Sequence, residues 1–164
     1  MTAMVAARPP RSTAAEREVR RDSPLRRART CWGHLAGVAG VELLETLRAR
    51  GWVTVAHGEG THRTPIRLTD AGVAGVASLG LRSGREGHTC LDWTERQPHI
   101  GGALGRALVE LLVCEGVITR QQGERVVSMH RPLSEWLATA VSRCDSSWPR
   151  PLSRNMECQC DCFT

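Results

Sequence analysis

The chain has 164 residues, 41% of them apolar, with 22 basic side chains against 17 acids and a formal charge of +5. That length suits one modest domain or two small packed subdomains. No stretch approaches the ~20 apolar residues of a membrane span, and no apolar run follows Arg8 and Arg11 as a secretory signal requires, so a soluble cytoplasmic protein is expected.

The charge is unevenly placed. Residues 1–30 hold eight arginines against three acids, and the rest of the chain sums to zero with fourteen of each. Residues 1–22 carry Ala, Pro and Arg with little apolar periodicity, so a flexible basic arm is expected there, either touching phosphates or simply solvated. Every basic residue is arginine, a bias in keeping with a GC-rich genome. Seven cysteines do not form a secreted disulfide pattern.

Ser23-Pro24 reads as an N-cap followed by proline at the first helical position, and predicts a helix to about Val38. His34 to Val53, HLAGVAGVELLETLRARGWV, is then repeated at His99 to Ile118, HIGGALGRALVELLVCEGVI, with seven of twenty positions identical. A repeat of this length marks one supersecondary unit used twice. In the first copy Val38, Val41, Leu44 and Leu47 share a helical face, and Gly51 stands where a helix C-terminus is capped. Trp52–Val55 and Pro65–Leu68 read as strands around a polar tip containing His57 and His62. Thr69 caps a short helix with Asp70 in its first turn.

Residues 81–97 read as a connector, Gly-rich at first and then dense in Cys, acid and Trp. Pro98 is expected to open a second helix through Leu104, Leu108 and Leu112. A shorter hairpin follows at Val117–Thr119 and Arg125–Met129, and a last helix from about Pro132 to Val141 buries Leu133, Trp136 and Leu137. Residues 144–164 lose periodicity, and Pro149-Arg150-Pro151 forbids a long helix, so a disordered cysteine-containing tail is expected.

The units are therefore residues 23–80 and 98–143, each a helix, a hairpin and a helix. This is half of a winged helix-turn-helix written twice. The fold class expected is mainly α with small β-hairpins (α+β), with Leu43, Leu47, Leu108, Leu112 and Trp136 in the core.

Longer motifs sharpen the assignment. ARTCWGHLAG at Ala28–Gly37 resembles the ARTCYDHLAG segment of a bacterial subgroup of ArsR-type winged-helix transcriptional regulators. CLDWTERQPHIGGALG at Cys90–Gly105 is similar to that subgroup's CLDWSERRPHLAGALG, and Leu68-Thr69-Asp70-Ala71-Gly72 resembles its LTPAG. The resemblance covers roughly residues 17–140. It implies a DNA-binding regulator, a repressor acting as a homodimer on double-stranded DNA. There are departures. The amphipathic helix pair that reads DNA in that subgroup has no counterpart in the thirty residues before the match, so a shortened regulator is expected. The metal-sensing Cys-Val-Cys motif is absent, and the second copy reads Met129-His130-Arg131-Pro132-Leu133 at its LTPAG position. The alternative is an effector-sensing or dimerisation module without DNA binding of its own.

Four groups of residues carry the chemistry. Cys31, His34, Cys90 and His99 offer two thiols and two imidazoles, a zinc-type or thiol-sensing set, although C-x2-H with C-x8-H is not an established zinc spacing; the plain alternative is small buried cysteines and capping histidines. Asp92 and Trp93 offer an acid and an aromatic wall for an effector, or a connector pinned in the core. Arg63, Arg67, Arg120 and Arg125 lie where wings meet DNA, or are solvated charges. Cys158, Cys160 and Cys162 alternate in the tail as soft-metal donors. No nucleophile–base pair, phosphate-cradling loop or paired carboxylates are present, so no enzyme is expected, and no cofactor apart from zinc at the Cys/His set.

Overall fold

The computed structural model describes residues 12–56, 63–81 and 84–145. The hairpin tip with His57 and His62, and the tail with Cys158, Cys160 and Cys162, lie outside them.

The first helix, α1 (Thr13–Arg21), occupies part of the segment expected as an arm; the Ser12 side chain accepts from the Ala15 N–H and Asp22 ends the helix in the left-handed region. Ser23 and Pro24 open α2 (Pro24–Arg27) as expected, but it lasts a single turn. The chain does not continue as helix to Val38. It forms β1 (Arg29–Cys31) and β2 (His34–Ala36), joined by Trp32 and Gly33 at φ +52° and +88°. Two successive left-handed residues make the tight hairpin turn whose twist matches that of the strands, and this turn breaks the predicted helix.

The predicted order then resumes through α3 (Val38–Ala49), β3 (Val53–Val55), β4 (Pro65–Leu68) and α4 (Asp70–Ser78). Thr69 caps α4 by accepting from the Gly72 N–H. The connector is not plain linker: it holds β5 (Glu86–Leu91), which pairs with β6 (Pro98–Gly101). The helix expected from Pro98 begins four residues later as α5 (Gly102–Cys114). Proline is tolerated as the first residue of a strand, and that is its place here. The chain closes with β7 (Ile118–Arg120), β8 (Val127–Met129) and α6 (Leu133–Asp145), so α6 extends past Cys144. The fold is α+β: six helices with small antiparallel sheets among the described residues. No described helix is long and apolar enough to cross a membrane.

The repeat is larger than its sequence identity suggests. Each copy runs strand, strand, helix, strand, strand, helix, with β1 and β2 answering to β5 and β6. The copies are also interlocked. The second strand of the first hairpin, β4, pairs with β5 of the other copy through Pro65↔His88, Ile66↔Gly87 and Arg67↔Glu86, giving a sheet ordered β3-β4-β5-β6. Reciprocally, the residue just before β8 meets β1 at an Arg29↔Val126 bridge. There the Thr30 N–H donates to Arg125 O and the Val127 N–H to Ala28 O, at 2.7 and 3.1 Å.

The helices cross over in the same way. α3 packs on β6, and α5 packs on β2. Glycine permits both crossings. A Cβ at Gly40 would lie 2.4 Å from Leu35 O and 3.3 Å from the His99 Cβ; at Gly105 it would lie 2.3 Å from Ile100 O and 2.9 Å from the His34 Cβ. Around this crossing Leu43, Leu44, Leu47, Leu104, Leu108, Leu112, Trp136 and Leu137 belong to a continuous apolar cluster spanning both copies. All five core residues expected from the sequence are in it.

Candidate functional site

Strand register assembles the site. Cys31 faces His34 across β1–β2, and Cys90 faces His99 across β5–β6. Because β2 and β6 lie under the crossing helices, the two cross-strand pairs meet: one ligand atom from each of Cys31, His34, Cys90 and His99 can be chosen so that all lie within 4.8 Å of one another. The sulfurs of Cys31 and Cys90 are 4.0 Å apart, and the imidazole centroids 5.1 Å apart at 38°. Cys90, His34 and His99 are buried, and Cys31 is half-buried.

The electrostatics separate the two thiols. Cys31 is pulled down to about 4, first by the Cys90 S–H beside it and then by the His99 ring, against the effect of burial. Cys90 is pushed up by Cys31, by burial and by Asp92. Burial lowers His34 to about 4, so its ring is neutral at neutral pH. Buried polar atoms ordinarily find partners, yet among the described residues Nδ1 of His34 and both ring nitrogens of His99 have no hydrogen bond. The set can therefore accept a soft or borderline cation, or exchange thiol and disulfide.

Asp92 braces the site from the side. Its carboxylate takes both Arg29 contacts at 2.6 and 2.7 Å, accepts from the Gly37 N–H at 2.7 Å, and accepts from Thr94 N–H, Thr94 O–H and Glu95 N–H. Burial alone would raise this carboxyl; the Arg29 guanidinium and the backbone N–H of Gly37 override it and hold it at about 2. Oδ2 also lies 3.8 Å from Nδ1 of His99. Trp93 carries the Arg29 guanidinium over its ring at 4.9 Å. Asp92 and Trp93, the candidate effector contacts, are thus both engaged with Arg29, a buried residue the sequence reading did not single out. Its position in ARTC offered a signal, because a buried acid in the second motif needs a cation from somewhere.

The candidate DNA contacts are elsewhere. Arg63, Arg67, Arg120 and Arg125 are exposed, the first pair just before β4 and on it, the second pair on β7 and just before β8. The Arg63 N–H is held by Thr89 O, and the Arg125 side chain reaches Thr30 O at 3.4 Å. The exposed faces of α3 and α5 present Glu42, Glu45 and Arg48, and Arg106 and Glu110.

No family model and no solved structure matches the chain. Among curated proteins, it is 31% identical over 118 residues to the HTH-type transcriptional regulator YdfF of Bacillus subtilis (strain 168), a match covering 68% of this chain and 50% of the relative. The chain is therefore similar to a helix-turn-helix transcriptional regulator, of which it spans about half the length.

Proposed function

We propose that the protein is a DNA-binding transcriptional regulator of ArsR type, acting in the cytoplasm as a homodimeric repressor. The observation carrying this reading is the similarity to the B. subtilis regulator over 118 residues, coupled with a helix–hairpin–helix order that occurs twice. In this reading Arg63, Arg67, Arg120 and Arg125 contact phosphates from the exposed flanks of the two hairpins. Such contacts position a protein on the duplex and do not read bases.

A second reading has its own support. α3 and α5 expose acids and arginines, with none of the Asn and Gln that read adenine, and β4 is already paired on both sides. An effector-sensing or dimerisation module without DNA binding of its own fits those two facts.

Selection of duplexes from a random pool, followed by affinity against salt, separates the readings. A regulator enriches a motif and holds it with Kd of about 10⁻⁸ M or tighter at physiological salt. Each Arg→Ala change at the four positions then lowers the salt slope by about 1 without changing the motif. Weak binding erased by salt, with no motif enriched, overturns the regulator reading for this chain and leaves the module.

A further inference from the structure

The geometry points to a tetrahedral Cys2His2 site for a single zinc-type divalent cation, built from Cys31 and His34 of one copy and Cys90 and His99 of the other, which fastens the interlocked repeats together. The argument begins with the donor set. Two thiolates and two neutral imidazoles are the chemistry that structural zinc takes, and together they neutralise a divalent charge. Zinc–sulfur bonds of about 2.3 Å and zinc–nitrogen bonds of about 2.0–2.1 Å require tetrahedral ligands roughly 3.3–3.8 Å apart. The sulfurs are at 4.0 Å and the whole set is within 4.8 Å, so side-chain movements of about 1 Å complete the site without moving a strand.

The second observation is independent of proximity. Three imidazole nitrogens in two histidines, 4% and 1% exposed, have no hydrogen-bond partner among the described residues. An apolar core gains nothing from such atoms, and a cation gives each ring a use. Asp92, fixed by Arg29, lies beside Nδ1 of His99, the relation in which a carboxylate orients a liganding ring. A Cys31–Cys90 disulfide is the competing use of the thiols. It would leave the same nitrogens without partners, which is why the cation is favoured.

The symmetry of the site gives it a role. Each copy contributes one Cys and one His from facing positions of its own strand pair, so neither copy holds more than half a site. The ion adds a joint between the two strand pairs at the helix crossing, beside the buried Arg29–Asp92 pair that already links them.

The test uses the purified, reduced full chain, stripped of metal with a chelator and titrated with Co2+ and then Zn2+. One Co2+ per chain is expected, with tetrahedral d–d bands and a thiolate charge-transfer band, displaced by Zn2+. Cys31→Ser and Cys90→Ser each lower affinity by at least about 100-fold, while Cys114→Ser leaves it unchanged. If either serine variant fails to fold, alkylation mapping of the native chain decides: Zn2+ should protect Cys31 and Cys90. Protection of Cys158, Cys160 and Cys162 alone, a Cys31–Cys90 disulfide in a chain whose reduced form takes up no metal, or absence of the cobalt bands overturns the proposal.

Discussion

The two copies of the repeat keep the same crossing and hold it by different means. In the second copy the strand pair β5–β6 is joined by the long turn after Leu91, whose first residue, Asp92, is a buried carboxylate with six hydrogen bonds. In the first copy the matching pair is joined by Trp32 and Gly33 alone, and its connection to the other hairpin is a single bridge where the counterpart has three paired residues. Yet Cys and His face each other identically in both. The crossing and the four side chains beneath it are what the copies share, while turns and ladder length have diverged around them.

Breaking the anchor of the second copy should have the largest effect. Asp92→Ala leaves the Arg29 guanidinium buried without its counter-ion and is expected to cost about 3–5 kcal/mol in urea unfolding; a loss under about 1 kcal/mol would mean that the copies do not depend on it. Overpacking the crossings comes next. Gly105→Ala and Gly40→Ala each cost about 1–3 kcal/mol, and Gly105→Ala should be the worse, because its new Cβ meets the His34 Cβ at 2.9 Å where the other meets His99 at 3.3 Å. Equal thermal shifts, or none, would show that helices and strands adjust independently.

The remaining expectations probe the lighter copy. Trp32 is 90% exposed and holds a left-handed backbone, a conformation Asn adopts more readily. Trp32→Asn should therefore stabilise by about 0.5–1 kcal/mol; a decrease would reveal a contact that the exposed indole makes. Val126 is the counterpart of Pro65: Val126 faces Arg29 and Pro65 faces His88, each two positions before the cysteine of the opposite copy. Val126→Pro should change stability by less than about 0.5 kcal/mol, whereas a larger loss would show a ladder tighter than one bridge.

The sequence announced the repeat from His34 and from His99, together with the helices, hairpins and core leucines that follow. Its upstream half was hidden. Cys31 and His34 are three positions apart and Cys90 and His99 nine, so no fixed offset aligns all four, although strand register makes the pairs equivalent. β1 and β2 were missed because three-residue strands are too short to show alternation, and because Trp-Gly lacks the Asn-Gly signal of a tight hairpin. β6 is hidden because Pro98 stands where a helix start is equally plausible. The four Cys and His residues were legible as donors, but only the pairing of strands from different copies tells which of them meet.

The interlocking also governs how the chain must fold. Arg29 and Val126, which join β1 to the last hairpin, are 97 positions apart, so this contact closes most of the described chain at once. Pairings of that span raise contact order and slow folding, since their loop entropy is spent before the contact rewards it. During synthesis at roughly 5–20 residues per second, β1 waits on the order of 5–20 s for its partner. Until β6 and α5 emerge within that interval, the apolar faces of α3 and β2 have nothing from the second copy to cover them, so the nascent first copy is the state most exposed to aggregation and to pairing with another chain.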